Sequence, residues 1–281
     1  MSAKVLQDCL NYIDFLRSTG YFVSLSGFGA NFEPYTSKLL NYEIHLHSIC
    51  LFLKQNDISR DKCVLNKKTL DKASVTKPYY SCCYAGVEEY VVPVFYNDKC
   101  IMRINISGYR GNLKKSEKFI NRISLFFGQD AKALYSELST LPPSLDQIMK
   151  FVTPLKYMIR ELYTYCQSIN STDSLSQTKQ LYLKALYFIN ENYMQEISCD
   201  SLAKQFNYST SYMQYVFKKE GSTTIKAKVN SVRLSKAKHL LTHSRISITD
   251  VALACGFTDS NYFSTVFKNK FGHSPREFRQ G

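Results

Sequence analysis

The last third of the chain carries apolar residues at the three- and four-residue spacing of amphipathic helices. Two stretches of it share one pattern: a short helix ending on Leu-Ala or Val-Ala, a tight turn, and a second helix closing on Val-Phe-Lys. They are residues 201–206 with 209–220, and residues 249–257 with 259–268. Alanine lets the two helices approach closely, and the Val-Phe pair anchors the second one. The pattern predicts two helix-turn-helix motifs, each leaving a polar helix face outward, where a major groove could be read.

Further helices are predicted around the two motifs, which makes this region all-α. One covers residues 178–193, ahead of the first motif, and another covers residues 225–241 between the motifs. Arg233, Lys236 and Lys238 fall on or near the outer side of this connecting helix. Serines suited to N-capping stand where three of the helices are expected to begin: Ser198, Ser247 and Ser274.

The first 140 residues mix strand-like and helix-like patterns. Residues 91–96 and 101–106 are β-branched or aromatic runs separated by Asn-Asp-Lys, which predicts a hairpin. Helices are predicted over residues 3–18 and 116–138. The combination indicates an α+β domain over residues 1–140.

An apolar seam follows, in which residues 145–169 alternate apolar positions three and four apart. This spacing is typical of a coiled coil, so one hypothesis is a dimerising helix; the other is a helix packed on its own N-terminal domain. Pro154 predicts a kink or a new helix starting near Thr153. Residues 168–178 are polar and are predicted to form a linker, so the segment 141–178 would join the first domain to a last one at 179–281.

The distribution of charge along the chain indicates the kind of partner that it binds. The net charge is +13, and residues 179–281 carry +8 of it, which favours a polyanion such as DNA. The N-terminus lacks the apolar core of a signal peptide, and no apolar run is long enough to span a bilayer. Nine scattered cysteines then indicate reduced thiols and a cytoplasmic protein.

Residues 179–281 resemble the AraC/XylS family of transcription regulators, through the paired motifs, the connecting-helix run 233–241 and the pattern over residues 256–275. The resemblance implies two recognition helices in adjacent major grooves of promoter DNA, about one helical turn (~34 Å) apart. It also implies activation and contact with RNA polymerase. Base-facing positions by the same resemblance are Ser211, Gln214, Tyr215, Ser260, Asn261, Ser264 and Thr265.

The chemistry of these residues refines the expectation. The amides of Gln214 and Asn261 can pair with adenine, whereas the arginines that family members often carry are replaced here by Tyr215 and Thr265. An A·T-leaning site is therefore predicted, with more dependence on DNA shape. Candidate phosphate contacts are Lys218, Lys219, Lys268, Lys270 and Arg276. Aromatic residues predicted to be core rather than base-stacking are Tyr212, Phe217, Tyr262, Phe263 and Phe267.

Residues 5–125 resemble the PocR-type sensory domain, with the match centred on Cys83, Ala85, Gly86 and Pro93. The resemblance implies a PAS/GAF-like α+β fold and a small effector of the short-diol kind. Tyr84 stands where the family often has histidine, which leaves the polar contact at this position open. Candidate ligand-binding residues are Phe28, Phe32, Tyr80, Cys83 and Tyr84, and Tyr21 and Tyr35 could add to an apolar wall.

Two alternatives remain for the N-terminal domain: a protein-interaction or dimerisation module, and a metal or thiol sensor built on Cys50, Cys63, Cys82 and Cys83. Zinc sites usually show Cys-x-x-Cys spacing, which is absent, and adjacent cysteines in a strand point to opposite faces. His45 and His47 could share a strand face but lack an evident acidic partner. Neither a phosphate-binding loop nor a nucleophile elbow occurs, so the sequence predicts no enzyme and no cofactor.

Overall fold

The computed structural model describes residues 2–43, 45, 47–54, 59, 62–63, 75–170, 176–243 and 246–280. Contacts between residues divide the chain into two compact units, Met1–Thr172 and Asp173–Gly281. None of the helices in the described ranges is long and apolar enough to cross a membrane.

The first unit combines a four-stranded sheet with helices. Two short 3-10 turns, at Gly29–Phe32 and Leu40–Tyr42, flank its second helix. Its helices are α1 (Ser2–Ser18), α2 (Thr36–Leu39), α3 (Ser48–Lys54), α4 (Leu113–Ser136) and α5 (Leu145–Asn170). Its strands are β1 (Phe22–Ser26), β2 (Tyr79–Cys82), β3 (Glu88–Tyr96) and β4 (Lys99–Tyr109).

The sheet is antiparallel, in the order β1-β4-β3-β2. Strands β3 and β4 form the predicted hairpin, in which Val92 pairs with Ile104. Its turn contains Asn97 and Asp98, whose φ angles are 45° and 61°. Positive φ at both central residues matches the right-handed twist of the strands, and asparagine and aspartate tolerate it. The α+β prediction for this region is confirmed.

The apolar seam is one continuous helix, α5, and its side chains pack within their own unit. The helix lies against α1 and β3, and the Tyr12 hydroxyl donates a 3.0 Å hydrogen bond to the Phe151 carbonyl. No new helix begins near Thr153, because the chain remains helical through Pro154, and the Thr153 hydroxyl bonds the Met149 carbonyl at 2.6 Å. The buried seam residues are Ile148, Val152, Leu155, Ile159, Leu162 and Cys166.

The predicted linker is shorter than expected. Helix α5 continues to Asn170, and the first helix of the second unit already begins at Gln177. That start is set by Ser176, whose hydroxyl accepts a hydrogen bond from the Lys179 amide at 3.2 Å. The central part of the predicted linker, residues 171–175, lies outside the described residues.

The described part of the second unit is helical, as predicted. The connecting helix and the helix ahead of the motifs agree closely with the predicted ranges 225–241 and 178–193. The helices are α6 (Gln177–Asn192), α7 (Cys199–Phe206), α8 (Thr210–Gly221), α9 (Ile225–His243), α10 (Ile248–Ala254), α11 (Ser260–Phe271) and α12 (Pro275–Gln280).

One prediction for the connecting helix α9 is wrong. Lys236 was expected on or near the outer side, yet its side chain is 0% exposed and its Nζ lies 5.9 Å from the centre of the Tyr193 ring. Arg233 is half-buried and donates to the carbonyls of Tyr193 and Gln195, both at 2.7 Å. The reason is that α9 contacts α6, α10 and α12, so more than one of its faces is covered.

Candidate nucleic-acid interface and sensory cavity

The first helix-turn-helix motif is α7 and α8, and side-chain caps fix its geometry. Ser198 and Ser201 form a reciprocal capping box at the start of α7, with both N···O distances 3.0 Å. Asn207 makes the turn with a left-handed φ of 58°. Ser209 then caps α8, because its hydroxyl accepts from the amide of the third helical residue at 3.2 Å. The orientation of α8 is therefore set by residues outside its exposed face.

The second motif, α10 and α11, repeats this construction with other residues. Ser247 caps α10, as predicted, and its hydroxyl also donates to the Asp250 carboxylate at 2.6 Å. Gly256 makes the turn with a φ of +82°, and a Cβ there would lie 2.8 Å from the Cα of Met194. Asp259 caps α11, because its carboxylate accepts hydrogen bonds from the backbone amides of Asn261 and Tyr262, at 2.7 and 3.2 Å. Only glycine fits at position 256 without displacing the backbone of Met194 beside it.

The predicted base-facing positions lie on the two second helices. Gln214 and Asn261, the residues with amide side chains, are both exposed. The hydroxyls of Ser264 and Thr265 donate to carbonyls of their own helix at 2.9 and 3.0 Å, so their oxygens remain as acceptors. Exposed members of the set are Ser211, Gln214, Tyr215, Asn261 and Thr265, and half-buried members are Ser260 and Ser264.

The predicted phosphate-contacting cations are exposed, but one of them has a structural contact as well. The Lys270 ammonium donates to the carbonyl and hydroxyl of Ser231 at 3.1 and 2.8 Å and thereby joins α11 to α9. Partial burial, with a smaller effect from the charge of Lys228, lowers its pKa. The remaining exposed cations are Lys218, Lys219, Lys268 and Arg276.

Two of the five aromatic residues predicted to be core differ from that prediction. Tyr262 is 45% exposed, and its hydroxyl accepts a 3.3 Å hydrogen bond from Asn230 of α9. Tyr212 is half-buried and stacks on Tyr208, with ring centres 5.2 Å apart. Helical spacing gave the side of the helix correctly but not how far neighbouring elements cover it. The three that are fully buried are Phe217, Phe263 and Phe267.

In the first unit, the predicted ligand-binding residues fall in separate places. Phe28 and Phe32 are fully buried, and the Phe32 ring lies 5.4 Å from that of Tyr163 on α5. Tyr80 is exposed at the sheet edge, where its hydroxyl donates to the Glu88 carboxylate at 2.9 Å. Cys83 and Tyr84 are half-buried and pack together against a different apolar cluster. The structure therefore groups four of the five candidates in two separate pairs: Phe28 with Phe32, whose ring centres lie 6.3 Å apart, and Cys83 with Tyr84.

Beside Cys83 lies a cavity of about 470 Å³, formed between the end of β2 and helix α4. Cys82 and Cys83 both line it, and β2 ends at Cys82, so the prediction for adjacent cysteines within a strand does not apply to this pair. Three further lining residues come from α4: Lys118, Phe119 and Arg122.

The wall formed by α4 was not anticipated from the sequence. The Arg122 guanidinium donates to the Tyr84 carbonyl at 2.7 Å and covers the Phe119 ring at 4.8 Å. Lys118 and Arg122 are four residues apart and so share a helix face, which is a signal that the sequence contains. Gly86 permits the close approach, since a Cβ there would lie 2.6 Å from Phe119.

Glu89 is a buried acid whose charge acts on Cys83. Glu89 on β3 is 4% exposed, and burial raises its pKa to about 7. Its carboxylate lies 3.4 Å from the Nε2 of His45, so the expectation that this histidine lacks an acidic partner is wrong. His47 is fully buried, its Nε2 lies 2.9 Å from the Ser107 hydroxyl, and burial lowers its pKa to about 3. Neither histidine lies in a strand, so the two do not share a strand face.

The nine cysteines are all free thiols. Burial raises the pKa of Cys50 to about 12 and holds that of Cys83 well above its ordinary value. A thiol with a raised pKa is a weak nucleophile and a weak metal ligand. Among the described residues, no three histidine, cysteine or acidic side chains are grouped so that they could hold a metal ion.

Known proteins resemble the two parts of the chain separately. A family model described as the sensory domain found in PocR matches residues 21–163, just over half of the chain. Another, described as a helix-turn-helix domain, matches residues 202–281. The HTH-type transcriptional activator RhaS of Escherichia coli O139:H28 is 42% identical over 96 residues, which cover 34% of this chain and 34% of RhaS. The chain therefore matches about a third of the length of such curated relatives.

Solved structures similar to part of the chain include two bacterial regulators. The C-terminal domain of AraT, a response regulator from Geobacillus stearothermophilus, is 27% identical with a TM-score of 0.36, covering 37% of this chain and 88% of that one. An AraC-type transcriptional regulator from Chromobacterium violaceum is 30% identical with a TM-score of 0.33, covering 34% and 86% respectively.

The sensory-domain match lies within the first unit, and the helix-turn-helix match lies within the second. The second unit contains two motifs with capped second helices whose polar faces are exposed, which is the construction that the sequence predicted. The chain belongs to the family of proteins with a PocR-type sensory domain, and its second unit contains an AraC-type helix-turn-helix domain.

Proposed function

We propose that this protein controls transcription by placing α8 and α11 in adjacent major grooves of promoter DNA, in response to a small molecule bound by the first unit. The observation that carries the proposal is the pair of capped motifs, each of which exposes one amide, Gln214 or Asn261. Activation through RNA polymerase is the role that the family favours, and RhaS is named as an activator. A promoter target places the protein in the cytoplasm, and its role is that of a regulator rather than an enzyme.

Base readout would depend chiefly on the two amides. Each can form a bidentate pair with adenine, while the nearby hydroxyl groups accept or donate to several bases. The base-facing set contains no arginine, the usual guanine-reading residue. The proposed operator therefore favours A·T pairs opposite Gln214 and Asn261, with the phosphate contacts supplying affinity without sequence preference.

The test uses the full chain and a duplex selected by it from random-sequence DNA. Replacing Gln214 and Asn261 with alanine should weaken specific binding roughly 10- to 100-fold per residue, since a bidentate pair contributes about 1–3 kcal/mol. Binding to non-specific DNA should change little. Asn269→Ala is the matched control, because Asn269 is also an exposed asparagine on α11 but is outside the base-facing set. Equal losses on both kinds of DNA would refute the base-reading assignment.

The cavity beside Cys83 is the proposed effector site. Its volume of about 470 Å³ suits a small molecule, and its lining combines apolar and cationic side chains. A short diol of the kind associated with the family could bond the polar groups there and cover Phe119. The antiparallel sheet with flanking helices supports the proposed PAS/GAF-like relationship of this unit.

Native mass spectrometry of the full chain tests the effector proposal. An additional small organic mass that is lost on denaturation is the expected result, and Phe119→Ala should reduce its occupancy. Leu125→Ala is the matched control, because Leu125 lies on the same helix but is exposed and does not line the cavity. Occupancy that Leu125→Ala lowers as much as Phe119→Ala would contradict this site.

A further inference from the structure

A groove of about 940 Å³ lies between the two helix-turn-helix motifs, and we call it the inter-motif groove. One side is formed by α8, with Gln214 and Lys218, and the other by Tyr262 of α11. Its floor is the first half of α9, including Lys226, Asn230 and Arg233. The groove therefore touches both proposed recognition helices and the helix that connects them.

The groove is positively charged. Lys218, Lys226 and Arg233 line it, against a single carboxylate, that of Glu196, among the described lining residues. Lys218 and Lys226 are exposed, and no described carboxylate lies within ion-pair distance of either. Arg233 donates to two backbone carbonyls, which carry no net charge, and the charge that acts on it from the same groove is that of Glu196. Such a surface is complementary to a polyanion.

The internal repeat gives an independent reason to single out Lys226. Thr224 stands at the start of α9, and its hydroxyl accepts from the Ala227 amide at 3.1 Å. Ser274 does the same for Glu277 at the start of α12, at 3.3 Å. Lys226 and Arg276 each stand two residues after these capping residues, and both are exposed. The two motifs are thus followed by the same capped helix start with a cation in its first turn.

The geometry of duplex DNA identifies the occupant. Two helices in successive major grooves on one face leave the intervening minor groove facing the protein. The sugar–phosphate strands that border this minor groove must cross the space between the helices. In this protein that space is the inter-motif groove.

We infer that the inter-motif groove binds the sugar–phosphate strand that crosses between the two major grooves, with Lys226 as its principal phosphate contact. This inference rests on the proposed placement of α8 and α11. Tyr262 forms the opposite wall, and its 3.3 Å hydrogen bond from Asn230 joins this wall to the floor. Lys226 is a positioning residue: it fixes the spacing and register of the two recognition helices on the duplex without reading a base.

The first experiment measures how affinity depends on salt, using the full chain and its selected duplex. Each phosphate contact contributes about −0.9 to the slope of log Kobs against log [salt]. Lys226→Gln should therefore make the slope shallower by about 0.9, and equally so on specific and non-specific DNA. Lys184→Gln, an identical charge change at an exposed site on α6 outside the groove, should leave the slope unchanged. Lys226→Arg should retain the wild-type slope.

The second experiment locates the contact. Uncharged methylphosphonates replace the phosphates between the two major-groove half-sites, one position at a time. Wild-type protein should lose affinity at one or two of these positions, whereas Lys226→Gln should show no further loss there. A methylphosphonate outside the two half-sites should affect neither protein.

These outcomes separate the inference from the proposal on which it rests. If Gln214→Ala and Asn261→Ala abolish sequence preference but Lys226→Gln leaves the salt slope unchanged, the proposed placement of α8 and α11 is supported and the groove assignment is overturned. Equal methylphosphonate effects in wild type and Lys226→Gln would also overturn it. If the two alanine variants leave sequence preference intact, the proposed placement of α8 and α11 is refuted, and the groove inference that rests on it is refuted as well.

Discussion

Gly256 and Gly272 provide a matched pair of substitutions that tests the account of the second motif. Both glycines have nearly the same backbone conformation, with φ of +82° and +83°. A Cβ at Gly256 would lie 2.8 Å from the backbone of Met194 and Tyr193, whereas a Cβ at Gly272 would meet nothing within 4 Å. Alanine at the two positions therefore introduces the same left-handed strain but only one steric collision.

The left-handed conformation costs an alanine about 1–2 kcal/mol, and this is the whole effect expected for Gly272→Ala. At Gly256 the collision is with backbone atoms, which cannot rotate away as a side chain can. Overpacking of this kind adds about 1–3 kcal/mol. Gly256→Ala should therefore destabilise the second unit by about 2–5 kcal/mol, against about 1–2 kcal/mol for the control.

Hydrogen–deuterium exchange of the full chain reads the free energy of opening for peptides of α9, which lies between the two motifs. We expect Gly256→Ala to lower this free energy clearly more than Gly272→Ala, and to weaken binding to the selected duplex. Equal losses for the two variants would show that left-handed strain alone matters. The close approach of the turn to Met194 would then have no energetic consequence.

Further predictions concern Glu89 and Asp259. Burial raises the pKa of Glu89 from 4.5 to about 7, so ionisation opposes folding, and stability should fall as pH rises from about 4.5 to 7. Glu89→Gln should remove this fall, which amounts to about 3 kcal/mol, in urea unfolding followed across that pH range; an unchanged pH profile would refute the assignment. Asp259→Ala should cost about 1 kcal/mol by removing the cap of α11, and circular dichroism should show Asp259→Ser restoring most of it. Serine failing to restore stability would contradict the capping role.

The features predicted correctly from the sequence are those encoded by neighbouring residues. Ser198 and Ser247 cap the helices that they were expected to cap, and the β3–β4 hairpin follows from strand-forming runs around a turn-forming pair. Each depends on contacts within a few positions of the chain. The repeated motif was also visible because its two copies share the same local pattern.

The predictions that were wrong depend on contacts with distant parts of the chain. Lys236 is buried because three other helices cover α9, whereas Tyr262 is only partly covered, by contacts with Asn230 and Phe257, and remains 45% exposed. A helical period places a residue on a face but does not say which faces are covered. For the same reason the α4 wall of the cavity beside Cys83 could not be located, since α4 is more than thirty residues away in the chain.

The capping residues of the two motifs are distinct from the residues proposed to meet bases. Ser209 and Asp259 fix the helix starts, and Phe217 and Phe263 fill the core behind them. Gln214, Asn261 and the other exposed members of the set do neither, so exchanging them should leave the fold intact. The proposed operator preference can therefore change through single substitutions that are nearly neutral for stability, which leaves the proposed target sequence free to diverge while the architecture persists.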